Sequence, residues 1–424
     1  MSRTFKRVNM IITLLVAFAF LLMACAPAAT PTTAPAEQPT TAPAEQPTAA
    51  ESSGQTTDAL NSDKAAVAMQ FFSQEEMDRD IKFRTDNVQP MGPEGEPWVQ
   101  YLIDNPIDTS MYKKDGPYTI CFSNAGVNNP WRVVGYTTMQ EEVKLHPEIA
   151  EFIHVDAEGS DEKQISDIED LVASGNCDAL IVSPNTTAAL TPAVEAACKE
   201  LPVVVFDRGV QTDCPVVFER PIGGYVFGYD GAKFIVDNLP NGGNVLALRI
   251  LPGVDVLEQR WAAAKQIFEA NPQVNVVGVE FGDGDNTKVK TIVNDYLDRF
   301  GTIDAVWMDA GATAVAAIEA FEEAGKPYPI MVGEDQQDFL IKWKETGLTG
   351  VSPTFPTYQW RTAVIAALKV LQGEEVQHHW VLPQPVITDA NLDQYLQYNM
   401  PPLHYAMCGC EGMPDYPEAW GGTK

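Results

Sequence analysis

Histidine is scarce in this sequence, and the motifs that organise many hydrolytic and nucleotide-dependent enzymes are absent. Five histidines occur in 424 residues, and neither His-Glu-x-x-His nor Gly-x-Ser-x-Gly is present. The glycine pairs at 223–224 and 242–243 lack the spacing of a dinucleotide or phosphate-binding loop. We therefore expect a protein that is not an enzyme and uses no cofactor. A glycosidase-type pair of carboxylates stays open as an alternative, because sequence does not set the distance between two such groups.

Basic residues are also few. The chain has 28 Lys plus Arg against 58 Asp plus Glu, a net charge of −30, and without residues 1–24 the balance becomes 25 against 58, or −33. A protein of that charge repels phosphate backbones. The composition therefore excludes nucleic acid as a partner, although it does not identify what the protein binds.

The longest apolar run lies at the N-terminus. Three basic residues among the first seven precede an apolar run at 11–22, which is followed by Met-Ala and then Cys25. The run is shorter than the roughly 20 residues of a membrane-spanning helix, so the pattern predicts a secretory signal peptide over residues 1–24. A cysteine directly after the small residue resembles a bacterial lipoprotein signal, which implies cleavage before Cys25 and lipidation of its sulfur. The alternative is an ordinary signal peptide that a cysteine happens to follow.

A low-complexity segment follows at residues 25–58. It contains almost only Ala, Pro, Thr, Glu, Gln and Ser, and Thr-Thr-Ala-Pro-Ala-Glu-Gln-Pro occurs at 32–39 and again at 40–47. Such a segment has no apolar surface to offset its conformational entropy. We expect a disordered linker that tethers an extracytoplasmic domain to the cell membrane, in the periplasm or at the cell surface, through the N-terminal lipid.

Six cysteines follow Cys25. They are Cys121, Cys177, Cys198, Cys214, Cys408 and Cys410. In an exported protein an even number permits disulfides, and sequence does not choose among the possible pairings. A zinc site is not expected, because Cys408 and Cys410 are only two residues apart and no second close pair accompanies them. We expect structural cysteines and no metal.

Short β-branched runs alternate with helical patterns from residue 117 onward. Predicted strands lie at 118–123, 151–155, 179–183, 203–206, 244–250, 275–280, 304–308 and 330–333. Amphipathic stretches such as 161–175 and 313–325 lie between them, which predicts parallel sheets covered by helices on both faces. The alternation breaks near 219–224 and then restarts. We therefore expect an α/β fold of two Rossmann-like lobes rather than one closed barrel, with a ligand cleft at the carboxyl ends of the strands.

The residues that follow the predicted strands carry a resemblance to a known family. Asn128-Asn129-Pro130-Trp131-Arg132 follows the first strand, and Asp207-Arg208 follows the fourth. Placed in this order, the two motifs resemble the sugar-binding members of the type I periplasmic binding protein family, the ribose- and galactose-like substrate-binding lipoproteins of ABC transporters. Arg260, and a Val-Gly-Glu-Asp stretch that ends at Asp335, fall where relatives have further contacts. The agreement extends over about residues 117–385.

The resemblance implies three crossovers between the lobes, near 219–222, 350–355 and 380–387. The N-terminal lobe would comprise 117–220 plus 355–383, and the C-terminal lobe 221–354 plus 384–424, including a tail beyond the shared fold. Residues 59–116 form an N-terminal extension that the resemblance does not cover. Its apolar residues Val67, Phe71 and Met77 predict a helix over 63–82. We favour a brace for the first lobe over a docking element, because such residues usually find a core in their own chain.

The resemblance also implies a ligand site. Its candidate residues are Asn128, Asn129, Trp131, Arg132, Asp207, Arg208, Arg260, Asp309 and Asp335. Their carboxylate, guanidinium and amide groups satisfy sugar hydroxyls, which both donate and accept hydrogen bonds, and an indole offers a flat apolar face to a sugar ring. Arg132 replaces an aromatic residue common in relatives, which favours an oxidised or acidic sugar. Ala310, Gly284 and Thr354 stand where relatives carry polar or aromatic contacts, so we do not expect the solute to sit as ribose does.

These inferences lead to one expected function and one alternative. We expect a monomeric extracytoplasmic solute-binding lipoprotein of an ABC importer, which binds a monosaccharide or sugar derivative by hinge closure and delivers it to the permease subunits. The alternative is a sensory protein that presents a sugar-like signal to a membrane receptor. The two share the same site, so sequence does not discriminate between them.

Overall fold

The computed structural model of the protein describes residues 59–424. The predicted signal peptide, the linker and Cys25 lie outside the described residues. Within residues 59–424, none of the helices is both long enough and apolar enough to cross a membrane.

The helices and strands alternate along most of the described chain. The helices are α1 (Gln74–Thr85), α2 (Pro130–Lys144), α3 (Asp161–Ser174), α4 (Thr187–Ala197), α5 (Gly224–Asn238), α6 (Asp255–Ala270), α7 (Asn286–Phe300), α8 (Ala314–Glu323), α9 (Gln337–Thr346) and α10 (Gln359–Gln372). The strands are β1 (Pro106–Ile107), β2 (Tyr118–Asn124), β3 (Ile149–Asp156), β4 (Ala179–Ser183), β5 (Val203–Phe206), β6 (Val217–Pro221), β7 (Gly243–Arg249), β8 (Val274–Phe281), β9 (Ala305–Met308), β10 (Ile330–Val332), β11 (Gly350–Pro353), β12 (Val376–Gln377), β13 (His379–Leu382) and β14 (Val386–Ile387).

Two six-stranded sheets form the centres of two lobes. The first sheet has the order β13-β6-β5-β4-β2-β3 and is parallel throughout. The second has the order β14-β11-β10-β9-β7-β8 and is parallel except for its edge strand β14. Helices α2 and α10 pack together in the first lobe, as do α3 and α4, while α5 pairs with α6 and α7 with α8 in the second. The α/β fold class predicted from the sequence is confirmed.

The sheets form where the sequence has continuous apolar runs. All five residues of β4 are buried, as expected of a central parallel strand that helices cover on both faces. Strands β2 to β5 and β7 to β10 match the predicted strands closely. Strands β6, β11, β13 and β14 were not predicted as strands, because they lie in or next to the segments that we assigned to crossovers, and β6 carries the charged residues Glu219 and Arg220. They extend the two sheets where we expected only connections.

Three connections join the lobes. Residues 222–223 lead from β6 in the first lobe to α5 in the second, residues 354–358 lead from β11 back to α10, and residues 383–385 lead from β13 to β14. The carboxyl ends of both sheets therefore lie next to the connections. This arrangement brings the loops that follow β5, β9 and β10 toward a shared cleft.

The N-terminal extension differs from its prediction. Instead of one helix over 63–82, it forms two short 3-10 turns and then α1, which begins after Ser73 because the Ser73 side chain accepts a hydrogen bond from the Glu76 amide. The backbone of the first turn is held by the second lobe. The Trp261 indole and the Arg249 guanidinium donate to the carbonyl groups of Ala65 and Lys64, which competes with helical hydrogen bonds.

The extension contacts both lobes rather than the first alone. Asp80 in α1 forms an ion pair with Arg220 at 3.0 Å, beside the first connection. Further along, the Leu102 amide donates to the Val381 carbonyl of β13, and the Thr362 hydroxyl of α10 donates to the Trp98 carbonyl. The extension therefore runs from the second lobe across the connections to the first.

The C-terminal tail, residues 388–424, also contacts both lobes. On the second lobe, the amides of Gln337 and Asp338 at the start of α9 donate to tail carbonyls. On the first lobe, the Trp420 indole donates to the Thr138 hydroxyl at 3.0 Å. Trp420 belongs to a buried apolar cluster that also contains Val134 of α2 and Met400 of the tail.

All six cysteines of the described chain form disulfides. The pairs are Cys121–Cys177, Cys198–Cys214 and Cys408–Cys410. The first two lie in the first lobe and the third lies in the tail. Among the described residues, the ligand atoms of His404, Cys408 and Cys410 lie close enough together to be considered as a metal site. The two sulfurs are joined in a disulfide, however, so they are not thiolates and do not serve as metal ligands.

Candidate functional site

Asp207 is held in a fixed position at the end of β5. Its φ angle is +67°, in the left-handed region that aspartate tolerates better than most residues. The Asp207 carboxylate accepts a hydrogen bond from Arg132 at 2.8 Å, and both side chains of this ion pair are about nineteen-twentieths buried, with 5% and 4% exposed. The Ser183 hydroxyl at the end of β4 also donates to Asp207 at 3.4 Å. The carboxylate is therefore oriented by groups from two other elements of the first lobe, α2 and β4.

Arg132 balances the charge of Asp207. Its guanidinium also donates to Asn124 at 3.0 Å and to Ser183 at 3.2 Å, and it lies 5.6 Å from the centre of the Trp131 ring. Burial lowers the pKa of Arg132 to about 10, while Asp207 opposes this shift. The positive charge of Arg132 is thus balanced by Asp207 within the first lobe. From the sequence we had predicted that this charge would favour an acidic solute.

The Arg208 side chain binds a different partner from those of Asp207 and Arg132. Its Nη1 donates to the Asn185 carbonyl, and its Nε has no hydrogen-bond partner within residues 59–424. Asn185 was not identified from the sequence, although it follows β4 at the same edge of the sheet as Asp207. The position after a predicted strand was the signal that could have found it.

The two asparagines of the predicted motif lie at the rim. The Asn129 side chain accepts a hydrogen bond from the Arg132 amide at 3.0 Å and thereby caps α2. Its own amide donates to Asn128 at 3.3 Å, and both residues are exposed. In this first turn of α2, the Trp131 indole donates to the Phe355 carbonyl at 2.8 Å. Trp131 therefore links α2 of the first lobe to residues 354–358, the second of the three segments that join the lobes.

On the second lobe, Arg260 forms the centre of a buried cluster. Its guanidinium donates to Glu334 at 2.7 Å and to the Asp309 carbonyl. It lies 3.9 Å from the centre of the Phe227 ring and 4.8 Å from that of the Phe355 ring. The Phe355 ring also contacts Trp131, with 5.7 Å between ring centres. Phe355, which was not predicted as a site residue, therefore joins the contacts of the two lobes.

Asp309 and Asp335 are fully buried and each keeps one free carboxylate oxygen. Asp309 Oδ1 accepts from the Ile250 amide and Asp335 Oδ2 accepts from the Met407 amide, both at 2.8 Å. Their other oxygens have no hydrogen-bond partner in the part of the chain that the structure describes. Burial raises the pKa of each of these two carboxyl groups to about 7. Near neutral pH each can therefore accept or donate a hydrogen bond to a hydroxyl group.

The tail reaches into this part of the site. The Tyr405 hydroxyl donates a hydrogen bond to Glu334 at 3.1 Å. The same carboxylate also binds Arg260. Together with the Met407 amide on Asp335, this contact means that the tail orients two acidic side chains of the second lobe. No sequence motif indicated this contact, because the tail lies beyond the motifs that carry the resemblance.

A cavity of about 510 Å³ lies between the lobes. It is lined by Asp207, Arg208 and Phe355 among others, and by the start of α6 and residues 70–80 of the extension. Its volume falls in the range of roughly 300–1,000 Å³ that small-molecule sites occupy. At its edge the Thr187 hydroxyl of the first lobe donates to Asp255 of the second at 2.8 Å, so the lobes touch directly.

Replacing Asp309 or Asp335 by asparagine should stabilise the solute-free protein at pH 8. Because the folded-state pKa of each carboxyl group is raised from 3.8 to about 7, the folded state retains a proton that the unfolded chain releases. Stability is therefore lost as pH rises from about 4 to about 7. Asparagine keeps the oxygen that accepts the backbone amide and removes this loss. We expect a gain of about 1–3 kcal/mol at pH 8 in urea unfolding, with little gain at pH 4; an equal gain at both pH values would contradict this titration.

Comparison with known proteins gives consistent matches. The family described as periplasmic binding protein domain matches residues 120–375. The ribose import binding protein of Bacillus subtilis is 30% identical over 264 residues, which cover 61% of this chain and 84% of that protein. A xylitol-binding protein of Mycolicibacterium smegmatis is 24% identical over 238 residues, covering 55% of this chain and 68% of that protein.

Solved structures agree with these sequence matches. An ABC transporter solute binding protein from Bacillus halodurans, solved with bound myo-inositol, is similar with a TM-score of 0.60 and 25% identity. The match covers 66% of this chain and 98% of that one. The extension before residue 117 and the tail after residue 388 both lie outside the family match.

Proposed function

The chain belongs to the periplasmic binding protein domain family, and from this premise we propose that it binds a sugar or sugar derivative in the cleft between its lobes. The observation that carries the proposal is that Phe355 lines a cavity together with polar groups of the first lobe and also contacts a polar group of the second. Asp207 and Arg208 line the cavity from the first lobe, and Arg260 contacts the Phe355 ring from the second. The groups of both lobes contain atoms without hydrogen-bond partners among the described residues.

These groups suit a polyhydroxylated ligand. A sugar hydroxyl donates one hydrogen bond and accepts others, so it pairs well with a carboxylate beside a guanidinium. Arg208 Nε and the free oxygens of Asp309 and Asp335 supply a donor and acceptors of this kind. Phe355 and Trp131 supply apolar ring faces for the aliphatic C–H groups of a sugar. Asn128 and Asn129 would contribute from the rim.

Binding would be coupled to closure of the cleft. The solute would contact both lobes only when they approach each other, so it would shift the hinge equilibrium toward the closed form. The three connections at 222–223, 354–358 and 383–385 are the segments at which such a movement takes place. The bond between Thr187 and Asp255 would form with closure and break on opening.

We further propose the cellular role that the family resemblance implied. Lipidation at Cys25 would anchor the protein outside the cytoplasm, and the closed monomer would deliver its solute to the permease subunits of an ABC importer. It would carry out no enzymatic reaction. A sensory role, in which the same closed form engages a membrane receptor, is the second candidate and uses the same site.

The site can be tested by conservative substitution. Asp207→Asn removes one charge and keeps the shape of the side chain, and Arg208→Gln removes one charge and shortens the side chain to an amide. Each should weaken solute binding by about 1–3 kcal/mol, because partner groups stay buried and incompletely bonded. Isothermal titration calorimetry of the purified protein against monosaccharides, polyols and sugar acids would measure this, with amino acids as negative controls.

The matched control variants are Asp295→Asn and Arg299→Gln. These two residues form an exposed ion pair on α7 with a distance of 3.2 Å, and exposed pairs contribute little to stability. They should leave the affinity unchanged. Unchanged affinity in the Asp207 and Arg208 variants would remove the proposed site.

A further inference from the structure

Glu219 is a buried acid without any hydrogen-bond partner among the described residues. It lies in β6, is 2% exposed, and both of its carboxylate oxygens are unpaired. It lines the interlobe cavity together with Asp207 and Arg208. A buried polar group in this state costs free energy unless a ligand or water satisfies it, so such a group in a cavity wall is more often functional than structural.

The surroundings of Glu219 favour the uncharged form of its carboxyl group. Burial, together with the nearby Asp207 carboxylate, raises the pKa of Glu219 well above its ordinary value. A neutral carboxylic acid offers one donor and at least one acceptor. It would therefore pair with a hydroxyl or an ether oxygen, and it would not attract a cation.

A second wall of the same cavity comes from the N-terminal extension. Phe71, Phe72 and Asp80 line the cavity there. They are held in place because the Tyr225 hydroxyl donates to the Phe71 carbonyl at 3.2 Å and accepts from the Ser73 amide at 2.8 Å. The ion pair between Asp80 and Arg220 fixes the other side of this wall.

The cavity, with a volume of about 510 Å³, is larger than one sugar ring needs. The first-lobe contacts Asp207 and Arg208 lie at one part of the cavity, and the rings of Phe71, Phe72 and Phe218 line another part. Glu219 lies in the β6 wall of the same cavity, one residue after Phe218. Apolar rings beside polar groups form the kind of surface that a second sugar ring would fit.

We propose that Glu219 and the extension wall form a second subsite, so that the solute is a disaccharide or a glycoside rather than a free monosaccharide. One ring lies on Asp207 and Arg208, and the second ring or aglycone lies between Glu219 and the phenyl rings of the extension. This inference rests on the proposed sugar-binding function and deepens it. The extension lies outside the family match at residues 120–375, so the subsite is a feature of this chain's own architecture.

The test compares matched sugars on the intact protein. Calorimetric titrations would use glucose with maltose, cellobiose and trehalose, and galactose with lactose and melibiose. We expect at least one disaccharide to bind about 10-fold more tightly than its component monosaccharide. Glu219→Leu should lower that disaccharide's affinity about 10-fold, leave the monosaccharide's affinity unchanged, and leave the melting temperature unchanged or higher, because it removes an unpaired buried polar group.

Two further variants make the outcome specific. Glu219→Gln keeps a neutral donor and acceptor and should restore the disaccharide's affinity to within about 3-fold. Glu195→Gln, on an exposed face of α4, should change nothing. Equal affinities for monosaccharides and disaccharides, or an equal effect of Glu219→Leu on both, would overturn the subsite and leave the sugar-binding function intact. Binding of no sugar in the panel would overturn both proposals.

Discussion

Replacing Arg260 by leucine should lower the free energy of unfolding by about 3–5 kcal/mol, which is the usual cost of breaking a buried ion pair on one side. Arg260 and Glu334 have side chains that are 4% and 6% exposed, with 2.7 Å between the interacting atoms. Leucine retains apolar contact with the Phe227 ring but leaves the Glu334 carboxylate with Tyr405 as its remaining partner within residues 59–424. The loss therefore comes from an uncompensated buried charge rather than from a cavity.

Urea unfolding followed by tryptophan fluorescence would measure this loss. The matched control is Arg299→Leu, because the ion pair of Arg299 with Asp295 is more than half exposed on both sides and should be worth less than about 1 kcal/mol. The double variant Arg260→Leu/Glu334→Leu should recover much of the stability, since it removes both charges. A loss below about 1 kcal/mol in the single variant, or no recovery in the double variant, would show that the pair is not buried as described.

The same variant separates stability from binding. Arg260 also contacts Phe355, which faces the cavity. The double variant should therefore regain stability without regaining affinity for the solute. If affinity returned with stability, Arg260 would act only through the fold, and the second-lobe part of the site would have to be placed elsewhere.

The elements of the fold could be predicted because their signals are local. Strands such as β4 are continuous apolar runs, and α3 ends at Gly175, which adopts a left-handed φ of +63°. The rule that ligands bind beyond the carboxyl ends of parallel strands pointed to Asp207, Arg208 and Asp335. Both kinds of inference use residues that are close together in the sequence.

The parts that were missed depend on contacts between distant segments. Phe355 and Glu219 lie in segments that were assigned to crossovers, and only the tertiary structure places them at the cavity. Arg132 is paired with Asp207, 75 residues away, so its charge could not be assigned from its own motif. The single helix predicted over 63–82 fails for a similar reason, because second-lobe side chains bind the backbone groups that a helix would use.

The tail is the largest of these unpredicted features, and its position has a consequence for the hinge. Its first part binds the second lobe through the start of α9 and through Asp335, and its last part binds α2 of the first lobe. Between them, Arg361 of α10 donates to the Gly409 carbonyl. A segment attached to both lobes resists their separation, so the tail should favour the closed form.

Trp420→Ala should therefore weaken the attachment of the tail to the first lobe by about 3–5 kcal/mol, the usual cost of removing a buried tryptophan. Trp420 is 8% exposed, donates to Thr138, and lies 5.9 Å from the Tyr416 ring. Because the tail is terminal, part of this loss should appear as local opening. Hydrogen exchange should become faster in residues 408–424 and remain slow in the two sheets.

Solute affinity should fall in the same variant, although Trp420 lies away from the cavity. Release of the tail frees Tyr405 and the Met407 amide to leave Glu334 and Asp335, and it removes a connection that favours closure. The matched control is Tyr398→Ala, an aromatic residue of the same tail whose side chain is mostly exposed. Faster exchange in the tail with unchanged affinity would mean that the tail protects the first lobe but does not act on the cleft. Unchanged exchange would mean that Trp420 does not hold the tail in place. A joint change in exchange and affinity, absent from Tyr398→Ala, is the result that the attachment of one segment to both lobes requires.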